Sequence, residues 1–186
     1  SRTGHHLVYK DLVILSFFIF SKRIRIMKEI NLKHFVLEQF NYNNQEHFKM
    51  IDIFDQDKEI DKYIISTEES FRDVIDYYRL YTDDTIYNKI YLVKLLSGEI
   101  VGSIELDGKS SDLYINYSII EKYRNKGYCT KLLKEITIYL LEEIKHISLL
   151  IKEENTKSSK LALKVGYTIV GNNNLGYNKY QIKSQN

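Results

Sequence analysis

The residues best arranged to do chemistry lie between 117 and 130, in YSIIEKYRNKGYCT. A β-rich segment there runs into Arg124-Asn125-Lys126-Gly127-Tyr128-Cys129 and then directly into an amphipathic stretch. The start of a helix leaves up to four backbone N–H groups without intrahelical partners, and the aligned peptide dipoles add partial positive charge. Together these make an anion site, suited above all to phosphate. Gly127 lets a phosphate approach the backbone, Arg124 and Lys126 add formal charge, and the small side chain of Cys129 keeps the helix entrance open. An ordinary basic strand-to-helix turn uses the same residue types, so these six positions alone leave both readings standing. A second polar stretch follows at Asn155-x-x-Ser158-x-x-Leu161-x-x-Lys164-x-Gly166-Tyr167, where Asn155 stands in the position of a helix N-cap.

These residues need a scaffold, and the apolar periodicity supplies one. Residues 33–40 (KHFVLEQF) alternate loosely and predict a first strand. From Gln45 to about Tyr81 the spacing turns helical, and Ser66 to Ser70 supply capping and acidic residues, so two helices joined near 60–67 are expected. Ile90 to Leu96 and Glu99 to Leu106 form a hairpin across Ser97-Gly98. A third strand, Leu113 to Ile119, follows a turn at Asp107 to Ser111. Residues 128–144 place Leu132, Leu133, Ile136, Tyr139, Leu140 and Ile144 on one helical stripe. A strand at 146–152, a short helix at 158–165 ended by Gly166, and β-rich pieces at 168–170 and 177–182 complete the chain. Strand, turn, helix and strand between 113 and 152 make a βαβ unit, whose strands should be parallel with a right-handed crossover. The fold class is therefore α/β (α+β): one domain with a mixed, mostly antiparallel sheet, a central parallel pair and helices on both faces.

Composition narrows the function. The 186 residues fit one domain, and 44% apolar content builds a core without disulfide support. The 27 basic and 25 acidic residues leave a formal +2, too little for a polyelectrolyte footprint on nucleic acid or an anionic membrane. A single cysteine, Cys129, forms no internal disulfide and fits a reducing cytoplasm. Leu12 to Phe20 is nearly all apolar, but nine residues fall short of the roughly 20 that a bilayer-spanning helix needs. Met27 opens a run that reads like a natural start, so 1–26 is expected to be an N-terminal extension or a non-native remnant, with the domain at 27–186. The apolar run of that extension would have to pack on the domain or on a second copy, as in a homodimer. No metal is expected. The acidic run Asp52, Asp55, Asp57, Glu59, Asp61 lacks the glycine and terminal glutamate of a calcium loop and reads as a helix connection, and one cysteine excludes a thiolate zinc cluster.

Taken in order and spacing, the turn Arg124-x-x-Gly127-x-Cys129 and the helix Asn155-x-x-Ser158 ending in Gly166-Tyr167 resemble the two coenzyme-binding motifs of the GNAT acetyltransferases. The resemblance covers about 90–170, including the hairpin Gly98 to Gly102. Over 28–80 it is looser, where FDQDKEIDKYI followed by a helix is similar to the branch that includes ribosomal-protein N-terminal acetyltransferases. The resemblance implies acetyl-CoA as co-substrate and a primary amine, of a small molecule or a peptide N-terminus, as acceptor. Two parallel strands would splay to admit the pantetheine arm, which hydrogen-bonds to strand backbone near Ile119 and Ile120 as an added strand would. The amides of Asn125, Lys126, Gly127, Tyr128, Cys129 and Thr130 would take the pyrophosphate, with Asn155 and Ser158 approaching from the other side.

The implied reaction is direct attack of a neutral amine on the thioester, with an oxyanion held by a backbone N–H on strand 113–119. Here the chain departs from the family. The tyrosine that many members carry seven residues after the asparagine is Ala162, and the glutamate that often precedes a Gly-Tyr on the strand is Tyr114 when Tyr117 is aligned with that tyrosine. Glu105 is the first substitute as base, Glu121 the second, and Tyr117 reads as an acid or as a packed ring. These departures leave a second reading open: a catalytically weak, coenzyme-A-binding regulatory or interaction module. Nucleotide binding at the same turn would call for a Gly-Lys-Ser/Thr ending or three spaced glycines, and the chain has neither.

Overall fold

The computed structural model describes residues 28–63, 70–83, 85–173 and 175–185. The extension 1–26, Met27 and the capping residues Ser66 to Glu69 lie outside the described residues. Within the short segment 83–86, Thr85 donates its N–H to Asp83 Oδ1 at 3.0 Å.

Among the described residues, eight strands form one sheet in the order β1-β2-β3-β4-β5-β6-β8-β7. β1 (Glu29–Asn31), β2 (Phe35–Gln39), β3 (Lys89–Leu95), β4 (Ile100–Lys109) and β5 (Asp112–Ile119) make an antiparallel series. β1 is too short to show a period and goes unread in the sequence; only Ile30 of its three residues is buried. The β3–β4 turn closes as expected, with Gly98 at φ 95° and its N–H bonded to Leu95 O at 2.8 Å. The next turn is tighter than Asp107 to Ser111: the ladder continues to Lys109↔Asp112, leaving two residues to reverse the chain.

Among the described residues between β2 and β3 stand three helices rather than two: α1 (Gln45–Asp55), α2 (Lys58–Tyr63) and α3 (Phe71–Tyr78). The division comes from Asp57, whose Oδ1 accepts from Glu59 N–H (3.2 Å) and Ile60 N–H (3.3 Å) and so starts a new helix two residues after the last. α3 opens with a reciprocal capping box between Ser70 and Asp73. α1 buries Met50, Ile51 and Phe54, and Phe54 stacks on Phe71 of α3.

α4 (Tyr128–Leu140) carries the crossover from β5 to β6 (His146–Lys152). Its apolar stripe, Leu132, Leu133, Ile136 and Leu140, is buried, each side chain contributing about 1.5–3 kcal/mol. α5 (Thr156–Val165) follows and ends at Gly166, φ 112°, in a left-handed C-terminal turn. The chain then runs to the sheet edge as β7 (Thr168–Asn173) and returns as β8 (Tyr177–Lys183), which inserts between β7 and β6. The mixed sheet with one parallel pair, β5 with β6, is the architecture expected from the sequence.

Candidate active site: an open strand pair capped by bare amides

β5 and β6 share only two register pairs, Leu113↔Ile147 and Tyr114↔Ser148. Each strand then runs on, β5 to Ile119 and β6 to Lys152, held on its outer side by β4 and β8 respectively. The two therefore diverge, and a cavity of about 670 Å³ occupies the space between them. That volume is typical of small-molecule sites.

At one end of the cavity lies the turn into α4. Asn125 (φ 60°) and Gly127 (φ 78°) are both left-handed, an arrangement that turns successive N–H groups outward. No amide from Asn125 to Thr130 donates a hydrogen bond to another of the described residues, and 125–127 are exposed. Gly127 has nothing within 4 Å of the place a Cβ would take. The turn read from the sequence as an anion site presents unpartnered amides, but its charged side chains are arranged differently from that reading. Arg124 does not project freely: Nη2 reaches Asp57 Oδ2 (2.5 Å), Nη1 reaches Glu59 Oε2 (2.9 Å) and Nε–H donates to Ile119 O (2.9 Å). Lys126 and Lys122 remain outside that network, their ammonium groups 5.3 and 5.1 Å from the ring centre of Tyr123. Lys126 is exposed and stands outside the cavity lining, whereas Arg124, Asn125, Gly127, Tyr128, Cys129 and Thr130 form part of it. Burial pushes the Cys129 thiol up to about 11, with Arg124 pulling the other way.

Asn155 and Ser158 line the opposite wall. Asn155 Oδ1 accepts Ser158 N–H at 3.1 Å and so caps α5. Ile119 lines the cavity; Ile120 does not, its N–H donating to Val101 O at 3.0 Å. Ala162 is fully buried.

The register of β4 and β5 separates the candidate catalytic groups by face. Glu105 pairs with Asn116, whose Nδ2 donates to it at 3.3 Å; Tyr117 points the other way, towards Cys129 of α4 and Ser158 of α5. The Tyr117 hydroxyl is buried with no partner at hydrogen-bonding geometry among the described residues; burial raises its pKa strongly, while the Ser158 side chain beside it pulls the other way. Such orphan hydroxyls are rare and call for a ligand or a water. On the Glu105 face, Asp107 and the rings of Tyr77 and Tyr78 complete the end of the cavity remote from the amides. Burial, reinforced by the charges of Glu105 and Asp107, raises the Tyr78 hydroxyl. Glu121 is exposed outside the lining and donates its N–H to Asp57 Oδ2 at 3.1 Å. Of the three residues proposed from the sequence as catalytic, Glu105 and Tyr117 line the cavity and Glu121 does not; Asp107, Tyr77 and Tyr78 carry no signal in the sequence, and Asp57 and Glu59, which hold Arg124, read there only as a helix connection. No group of three or more potential metal ligands occurs among the described residues.

A mixed sheet whose one parallel pair opens beside a bare helix start is the arrangement that the resemblance to the GNAT family implies for a coenzyme-binding acyltransferase. The acetyltransferase (GNAT) domain family matches residues 36–168, and the chain belongs to that family. A search of curated proteins found no match. Among solved structures the fold is similar to a GNAT-family acetyltransferase from Bacillus anthracis (20% identity, TM-score 0.65, 85% of this chain and 99% of that one). It is also similar to spermidine N-acetyltransferase from Vibrio cholerae in complex with CoA and spermine (17%, 0.66, 81% and 96%). A third is the ribosomal L7/L12 α-N-protein acetyltransferase in complex with coenzyme A (15%, 0.60, 82% and 98%). At these identities the likeness is one of fold. The chain is an acetyl-CoA-dependent acetyltransferase.

Proposed function

We propose that this enzyme transfers the acetyl group of acetyl-CoA to a primary amine by direct attack, in a cytoplasmic setting that suits its single cysteine. The observation carrying this reading is the opening between β5 and β6, with unpartnered amides at one mouth and two carboxylates at the other. Similar folds include enzymes named for spermidine and for a ribosomal-protein α-amine, which supports an amine acceptor.

The pyrophosphate lies on the amides of Asn125 to Thr130 and the pantetheine arm runs along β5. The acceptor enters as an ammonium between Glu105, Asp107 and the rings of Tyr77 and Tyr78, which suit a cation. Glu105 takes one ammonium proton, directly or through a water. The freed nitrogen pair forms the C–N bond at the thioester carbonyl, and a β5 backbone N–H holds the oxyanion. Collapse breaks the C–S bond with its electron pair going to sulfur, and the proton still surplus on nitrogen leaves as the thiol forms. Tyr117, on the other face of β5, donates a hydrogen bond to the departing sulfur. Its raised pKa suits it to donating that bond rather than its proton.

Thiol release with acetyl-CoA over a panel of primary amines and N-terminal peptides tests this. Turnover is expected, and Glu105→Gln should lower kcat by about 10²-fold or more with coenzyme A affinity unchanged. Coenzyme A binding with no turnover on any acceptor would favour the module reading instead.

A further inference from the structure

We propose that Asp57 is a positioning residue that shapes the coenzyme turn through main-chain contacts, at the expense of local electrostatics; this rests on the coenzyme reading of that turn. Its side chain is only 6% exposed, and it gathers four donors. Oδ1 caps α2 through Glu59 and Ile60 N–H, while Oδ2 accepts Glu121 N–H and Arg124 Nη2. Arg124, fixed in this way, holds the last carbonyl of β5 through Nε, and Glu59 ties its Nη1 and the Lys157 ammonium of α5. Every chain segment leading into 125–130 is therefore anchored on one buried carboxylate, and the amides that follow are left free.

Electrostatics alone opposes the arrangement. Two carboxylates stand beside a site for a doubly charged pyrophosphate, and they occupy the guanidinium that would otherwise face it. Opposite signs for the two acids follow. Asp57 holds the backbone of α2 and of Glu121 on the approach to the turn, so removing it disorders the turn despite deleting a negative charge. Glu59 contacts Arg124 and Lys157 only through its carboxylate, so neutralising it releases positive charge while Asp57 keeps the turn in place. The carboxyl of Asp57 is raised by burial, but the hydrogen bond and charge of Arg124 outweigh this and keep it ionised at neutral pH.

The test is coenzyme A titration by calorimetry of the full chain. Asp57→Ala should weaken binding about tenfold or more, the usual scale for hydrogen bonds to a charged group. Asp57→Asn, which keeps an acceptor for the α2 cap, should fall between it and the unchanged protein. Glu59→Gln should tighten binding a few-fold. Raising salt should erase the Glu59 effect and preserve the Asp57 effect, because screening acts on charge and not on shape. If Asp57→Ala does not fold, Glu121→Pro serves: Ile120 already has φ −63° and ψ 149°, compatible with a following proline. That change deletes only the N–H given to Asp57 along with an exposed negative charge, so charge predicts tighter binding and positioning predicts weaker. Unchanged or tighter binding by folded Asp57 or Glu121→Pro variants would overturn the inference. No coenzyme A binding by the unchanged protein would instead sink the coenzyme reading beneath it.

Discussion

Gly127→Ala isolates the contribution of the anion-binding amides. Gly127 sits at φ 78°, ψ 5°, and an added Cβ meets no atom within 4 Å, so the protein itself offers no clash. What remains is the left-handed backbone, which costs a non-glycine residue about 1–2 kcal/mol. In the free domain the first turn of α4 can relax and shed part of that cost. With pyrophosphate bridging the amides it cannot, so most of the cost should fall on binding. At about 1.4 kcal/mol per factor of ten, coenzyme A affinity should drop about 5- to 30-fold, with a Tm loss of no more than a few degrees. Gly127→Asn should lose less than Ala, since asparagine tolerates this region, as Asn125 already does at φ 60°. Calorimetric titration beside thermal unfolding separates the two quantities. Affinity within twofold of the unchanged protein would refute the assignment of these amides to the pyrophosphate.

Tyr117→Phe should raise Tm of the free enzyme by a few degrees, because it deletes a buried hydroxyl that has no partner, and yet lower kcat; a fall in Tm would mean the hydroxyl is satisfied after all. Cys129, with its pKa near 11, should react with iodoacetamide at pH 8 about 10²-fold more slowly than a free thiol, and bound coenzyme A should slow it further; rapid labelling would show the entrance of α4 to be open to solvent. Asp57 has a depressed pKa, so its stabilisation is present above the ordinary carboxylate range and lost as pH falls through the folded value. The stability gap between the unchanged protein and Asp57→Asn should stay level from about pH 5 to 8 and narrow below about pH 4 in acid-denaturation curves. A gap already closed at pH 5 would contradict the depressed value.

The sheet and both coenzyme motifs were legible because they are local. The β5–α4–β6 unit shows in the alternation of Leu113, Ile115, Tyr117 and Ile119 and in the buried stripe of α4, each within a few residues of itself. β7 is legible only over 168–170, since the observed strand is exposed along most of its length and carries no alternation of burial. Asp57 was visible within an acidic run, but its partner Arg124 is 67 residues away, and no spacing rule joins them. Tyr117 illustrates the same limit. Its alternation locates the ring on a packed face, while the solitude of its hydroxyl depends on what α4 and α5 bring beside it. The end of the cavity remote from the amides combines Glu105 and Asp107 of β4 with two rings of α3, elements whose meeting is a tertiary fact.

Seven register pairs tie β6 to β8, and eight tie β5 to β4, so neither strand can swing across to its parallel neighbour without breaking a full ladder. The opening is therefore a permanent split in the middle of the sheet. Central strands are ordinarily the last place in a protein to exchange amide hydrogens with solvent. Here a line of fast-exchanging sites should run down the molecule's interior, flanked on both sides by slow ones, and fall silent when the coenzyme arm lies along it.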